Sequence, residues 1–247
     1  MMPVICAFGP FHVYSYGLML AIAIVVCSFL LKRDAAVYGI PSDTVYDLVF
    51  WAVLGGIAGA RIFFVITNWD IFAGNLKEIV MLQRGGLSWQ GGLILGTFVG
   101  TGFIRFKKLP ARLMLDLLAP YLALGQSIGR IGCFLNGCCY GKDVSWGIYF
   151  PVHQAHLHPT QLYASAALFM IFCALKAYRK SPHVPGQVLA FYFILASTQR
   201  FVIEFFRADH ELTVIGLSIY QIVCLGLFAT GVLLMGFFKG SQSPEER

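Results

Sequence analysis

Residues 129–142 read GRIGCFLNGCCYGK, which sets Arg130 beside three closely spaced cysteines, Cys133, Cys138 and Cys139, directly after a long apolar run. A second run, RFVIEFFR at 200–207, carries Arg200 and Glu204 at i and i+4 on one helical face, with Arg207 one turn further. Arg61 lies near the end of a third apolar run. A central arginine costs an inserted helix about 2.5–3.5 kcal/mol, so each of these needs a partner or a watery cavity. For Arg61, snorkelling to the headgroups is an equally good reading. A purely structural Arg200–Glu204 pair would need no third charge, so Arg130 and Arg200 point to a polar cavity. Planar guanidinium groups grip phosphate through two parallel hydrogen bonds, and a phospholipid phosphate lies at the depth of these span ends. The expected chemistry is therefore the processing of a phospholipid headgroup.

The thiols admit three chemistries. Zinc wants four ligands, which the three cysteines and a nearby histidine could supply, but the vicinal pair lacks the usual spacing. A membrane thiol oxidoreductase would use the cluster as its redox centre, with the arginines supporting a thiolate and a quinone or partner protein as acceptor. A disulfide from Cys133 to Cys138 or Cys139 suits an oxidising outer face and would staple the loop carrying Asn136 beside Arg130. The staple is the expectation, with neither metal nor cofactor. Cys27, Cys173 and Cys224 sit in apolar runs and read as packing residues.

These groups must be positioned by membrane helices. Of 247 residues, 58% are hydrophobic and 12% charged, against roughly 25% charged in an average soluble domain. The runs do not alternate, which excludes a β-barrel. They predict an all-α membrane protein: a seven-transmembrane-helix bundle with a small outward-facing loop region. The spans are about 13–31, 45–66, 86–104, 113–130, 161–178, 186–205 and 217–238, forming one integral membrane domain over 1–247. No lysine or arginine precedes the first run, so it is not a signal peptide and is expected to be kept. Basic residues fall in alternate loops, at Lys32 and Arg33, Arg105 to Arg112, Lys176 to Lys180, and the tail with Lys239 and Arg247. The positive-inside rule then places the N-terminus outward and the C-terminus in the cytoplasm. Topology accounts for most of the net charge of +6, and no nucleic-acid partner is implied. Small residues at every fourth position, Gly55 and Gly59, Gly92, Gly96 and Gly100, Gly125 and Gly129, predict close helix packing.

With these motifs on the page, the chain resembles the prolipoprotein diacylglyceryl transferases, inner-membrane enzymes of bacteria. The similarity runs through YGLML from Tyr16, GARI from Gly59, GGLSWQGG from Gly85, DLLAPYLALGQSIGRIGCFLNG from Asp116, HPTQLY from His158, RFVIEFFR from Arg200 and LSIYQ from Leu217. The resemblance implies transfer of the diacylglyceryl group of phosphatidylglycerol to the lipobox cysteine thiol of a prolipoprotein, with release of glycerol phosphate. The partners it implies are phosphatidylglycerol, the prolipoprotein signal peptide and the lipid bilayer. Carried over by motif, Arg130 holds the lipid phosphate and Arg200 serves transfer. Glu204 and Arg207 complete the same polar face, Asn136 matches the signature asparagine, and Tyr16 and Arg61 match positions lining the cavity. The chain departs from the family pattern at Gln90, where a histidine is familiar, and at Cys133 and Cys138, where asparagine and glutamate are. A non-catalytic lipid-binding paralogue is the reading those departures keep open.

The reaction the resemblance implies is an alkylation in which sulfur attacks the glycerol carbon and a phosphate monoester leaves. Fixed cations around the leaving phosphate stabilise that transition state and favour the thiolate, with no obligatory histidine base. Gln90 cannot act as a general base, though it can orient a headgroup hydroxyl. His158 stands at a helix start, HPTQ, and reads as structural.

Overall fold

A computed structural model of the protein describes residues 1–8, 11–74, 76–81, 85–208 and 216–240. Arg247 and most of the 206–216 loop lie outside the described residues. The chain forms two compact units, one of Met1–Phe29 with Leu115–Arg247 and one of Leu30–Met114.

In chain order the elements are β1 (Val4–Phe8), β2 (Phe11–Tyr14), α1 (Ser15–Ala36), α2 (Ser42–Thr67), the short α3 (Trp69–Phe72) and a 3-10 turn (Leu76–Val80). There follow α4 (Trp89–Phe106), α5 (Ala111–Asn136), β3 (Asp143–Phe150), β4 (Ala155–Leu157), α6 (Thr160–Lys180), α7 (Gln187–Glu204) and α8 (Ile219–Gly240). Each apolar run of the sequence coincides with one long helix. Four of these, α1, α2, α6 and α8, are long and apolar enough to cross a membrane. The remaining long helices include Gln90 and Arg105 in α4, Asp116 and Arg130 in α5, and Arg200 and Glu204 in α7. Large apolar side chains such as Phe98 and Leu233 stand exposed on the helices, as a lipid solvent allows.

Two small antiparallel hairpins, β1–β2 and β3–β4, occupy segments that the hydropathy pattern assigns to loops. The β3 sequence DVSWGIYF is rich in β-branched and aromatic residues, but it is too short to register against the surrounding helical runs.

Within the Leu30–Met114 unit, α2 packs on α4 through the expected small-residue faces. A Cβ added to Gly59 or Gly91 would collide with the other's carbonyl oxygen, and one added to Gly55 would stand 2.7 Å from a methyl of Val99. The close approach of two backbones is therefore what these glycines provide.

In the other unit, Ala119 and Ala123 of α5, Leu168, Ile171 and Leu175 of α6, and Val188 and Tyr192 of α7 form a buried core. The buried carboxylate of Asp116 accepts hydrogen bonds from the amides of Gly186, at 2.6 Å, and Leu189, at 2.9 Å. It thereby satisfies donors that the start of α7 would otherwise leave orphaned, where the helix dipole favours a negative charge. Ser127 and Ser165 are joined by reciprocal hydroxyl–carbonyl bonds of 2.8 and 2.9 Å across α5 and α6. The expected packing role of Gly129 is not met: a Cβ there would find nothing within 4 Å.

Candidate functional site

The site begins at the C-terminal end of α5. Gly137 adopts φ +76°, and the amides of Gly137 and Cys138 donate to the carbonyls of Phe134 and Cys133, at 3.1 and 3.2 Å. This paired closure ends the helix one turn after Cys133 and reverses the chain. Cys139, also left-handed at φ +64°, follows in a backbone that α6 holds by its first residues. Gln161 Nε2 donates to the Cys138 carbonyl at 2.6 Å, and Thr160 Oγ1 to the Cys139 carbonyl at 2.7 Å. Next, Gly141 forms an antiparallel bridge with Arg207, and the Lys142 amide donates to the Phe206 carbonyl at 2.8 Å. The bridge needs glycine, because a Cβ at 141 would lie 2.5 Å from the Phe206 oxygen and 2.6 Å from His158.

This stitching joins the end of α5, the start of α6 and the end of α7. As a result Arg130 and Arg207 stand within electrostatic range of Arg200. The three arginines are separated widely in sequence yet share one polar region. Glu204 fixes the orientation of Arg200: its Oε2 lies 2.7 Å from Arg200 Nη2, and the carboxylate is almost wholly buried. Its Oε1 accepts from Ser218 Oγ at 2.9 Å.

Ser218 is itself held by the first turn of α8. Its amide donates to Gln221 Oε1 at 2.9 Å, while its hydroxyl accepts from the Gln221 amide at 3.2 Å. This reciprocal Ser-x-x-Gln arrangement satisfies two orphan donors of the helix start. The ring of Tyr220 lies 5.4 Å from the Arg200 guanidinium carbon and adds a cation–π contact. Arg130 differs from Arg200: it is half-buried, and among the described residues it has neither a hydrogen-bond nor an ion-pair partner. Its donors are available for an anion.

The other expected residues fall into place around this region or in the second unit. Tyr16 passes against Gly132, where a Cβ would stand 3.3 Å from both its Cα and its ring, and it lies within electrostatic range of Arg130. Asn136 is the last residue of α5, two positions before Cys138. Arg61 belongs to the Leu30–Met114 unit, where its guanidinium is buried and spent on backbone. It donates to the carbonyls of Ile79 at 2.7 Å, Gly85 at 2.7 Å, Gly86 at 2.9 Å and Glu78 at 2.5 Å. It therefore pins the segment ahead of α4 rather than snorkelling. Gln90, in the same unit, is exposed at the start of α4 and accepts from Ser88 Oγ at 2.7 Å.

The three sulfurs of Cys133, Cys138 and Cys139 all lie within 4.8 Å of one another, and the three cysteines are free in this structure. Hydrogen bonding with the Cys133 and Cys138 thiols, and the positive charges of Arg207 and Arg130, hold the Cys139 thiol well below the usual range. His158 is packed between Trp146, Tyr163 and Phe206, which makes it a structural residue at the approach to α6. Thr160, Gln161, Ser218 and Gln221 were not anticipated as site residues. The Ser-x-x-Gln spacing at 218–221 was the one local signal that could have revealed the last two.

Apolar helices around an arginine-rich polar region define a helical membrane protein with a site suited to an anionic headgroup. The matching family model, prolipoprotein diacylglyceryl transferase, spans residues 3–237. A phosphatidylglycerol–prolipoprotein diacylglyceryl transferase of Finegoldia magna is 32% identical over 225 residues, covering 91% of this chain and 90% of the relative. A protein of the same description from Streptococcus pyogenes serotype M5 is 32% identical over 243 residues, covering 94% and 93%. The chain belongs to the prolipoprotein diacylglyceryl transferase family.

Proposed function

We propose that this protein transfers the diacylglyceryl group of phosphatidylglycerol to the lipobox cysteine of a prolipoprotein, forming a thioether and releasing glycerol phosphate. The observation that carries the reading is the half-buried guanidinium of Arg130, without a hydrogen-bond or ion-pair partner among the described residues, within electrostatic range of the aligned Arg200. The acceptor sulfur attacks the glycerol carbon, the carbon–oxygen bond to phosphate breaks, and the electron pair goes to the departing phosphate monoester. Arg130 binds the phosphate through its planar fork. Arg200, aimed by Glu204, meets the charge that grows on the leaving oxygen, and Arg207 adds to the positive potential. The same potential favours the acceptor thiol as its thiolate.

Asn136 and Tyr16 border this region and contribute headgroup contacts. Within the Leu30–Met114 unit, Gln90 offers its amide at the start of α4 and Arg61 fixes the preceding segment. The topology that fits is seven spans in a bacterial inner membrane, with the N-terminus outward and the C-terminus cytoplasmic. A reporter enzyme fused after Arg247 should be active in the cytoplasm, and periplasmic activity would reverse that orientation. The decisive assay combines purified protein, labelled phosphatidylglycerol and a lipobox peptide. Label should pass to the peptide with stoichiometric glycerol phosphate, and a peptide that stays unlabelled with an intact lipid pool would refute the reading.

A further inference from the structure

We infer that Cys133, Cys138 and Cys139 form a three-thiolate binding site for a thiophilic divalent cation of the zinc class. The site goes beyond the transferase reading and stands without it.

All three sulfurs lie within 4.8 Å of one another, and those of Cys138 and Cys139 are 3.6 Å apart. A tetrahedral ion with metal–sulfur bonds of about 2.3 Å needs sulfur–sulfur separations of roughly 3.8 Å, so small rotamer adjustments suffice. The backbone that brings them together is built in advance. The helix closure at Gly137 presents Cys138 back toward Cys133, whose carbonyl accepts the Cys138 amide. The left-handed Cys139, at φ +64°, lets adjacent sulfurs approach each other, and such backbone persists only where the surroundings hold it. Here Gln161 and Thr160 hold it, through the carbonyls of Cys138 and Cys139.

Charge and chemistry agree with this assignment. Three thiolates around a divalent ion carry one net negative charge, and Arg130 and Arg207 lie within electrostatic range to balance it. Thiolate donors select soft and borderline cations over magnesium or calcium. Three protein sulfurs leave the fourth tetrahedral position to an exogenous donor.

A disulfide uses the cluster less completely. Adjacent residues across a trans peptide have Cα atoms about 3.8 Å apart, below the roughly 4.4–6.8 Å range of ordinary disulfides. The vicinal pair is thus excluded as an unstrained bridge, and either bond to Cys133 strands one thiol. A metal ion uses all three.

The test is titration of reduced, detergent-solubilised full-length protein with Cd2+, followed by its thiolate charge-transfer absorption. One equivalent should bind per chain, with Zn2+ competing. Cys133→Ser and Cys138→Ser should each weaken binding roughly 100-fold or more, since a lost ligand costs at least as much as a lost outer-shell contact. Cys173→Ser, which alters an exposed cysteine of α6, should bind as wild type. On the unaltered protein, Cd2+ should protect Cys133, Cys138 and Cys139 together from alkylation, as read by mass spectrometry, so the test survives misfolding of a variant. Absence of stoichiometric binding, or protection that leaves these three cysteines reactive, overturns the site. Neither lipid nor peptide enters this titration, so its failure is separate from failure of diacylglyceryl transfer.

Discussion

Replacing Arg130 by lysine keeps one positive charge and removes the planar fork. Arg130 occupies the last turns of α5 without a hydrogen-bond or ion-pair partner among the described residues, so the change breaks no such bond among them. On the proposed phosphate clamp, the loss therefore falls on the bound lipid phosphate. A lysine ammonium is a single point donor and forfeits one of two parallel charge-assisted hydrogen bonds. Such a bond contributes about 1.5–3 kcal/mol, which translates into a roughly 10- to 150-fold drop in kcat/KM. Because the proposed fork would grip phosphate both before and during departure, KM for phosphatidylglycerol should rise and kcat should fall. The assay is transfer of labelled diacylglycerol from vesicles of varied phosphatidylglycerol content to a lipobox peptide. Arg105→Lys, at the exposed end of α4, is the matched control and should retain wild-type kinetics. A folded Arg130→Lys protein with wild-type kcat/KM would refute the phosphate clamp.

Substitutions elsewhere in the chain give sharper structural readouts. Glu204→Gln keeps an acceptor for Ser218 but removes the charge opposite Arg200; breaking such a buried pair costs about 3–5 kcal/mol. The variant should melt at lower temperature and transfer more slowly, and an unchanged Tm would show that the pair does not fix Arg200. Arg61→Lys cannot span the carbonyls of Glu78, Ile79, Gly85 and Gly86 at once, so limited proteolysis should cut between the 3-10 turn and α4 faster than in wild type. Equal cleavage rates would argue against the pinning role. Gln221→Ala removes half of the reciprocal cap on α8, worth about 1 kcal/mol, and should lower Tm modestly, whereas Gln221→Glu, which preserves the capping geometry, should recover most of it.

The apolar runs and their arginines were legible in the sequence because both rest on local quantities. Run length sets whether a helix can form and be buried in lipid, and an arginine inside such a run carries its cost wherever the chain goes. The close approach at Gly55 and Gly59 was legible for the same reason, since spacing by turns defines a face before any partner is known, whereas Gly91, which meets Gly59, lies off the Gly92, Gly96 and Gly100 row. What the arginine's partner would be was not legible. Arg61 and Arg200 raise the same demand, yet one meets carbonyls 17 to 25 residues away and the other a carboxylate one turn on.

Tertiary structure alone decided that Arg130, Arg200 and Arg207 converge, because convergence depends on pairings between distant segments: Gly141 with Arg207, Thr160 with Cys139, Gln161 with Cys138, Ser218 with Glu204. None of these pairings has a periodicity that a linear sequence displays. The cysteines show the division most clearly. Their spacing announced an unusual loop, but only the left-handed turn at Cys139 and the carbonyl clamps from α6 brought three sulfurs within 4.8 Å. A backbone reversal of that kind is fixed by hydrogen bonds made after the helices have packed.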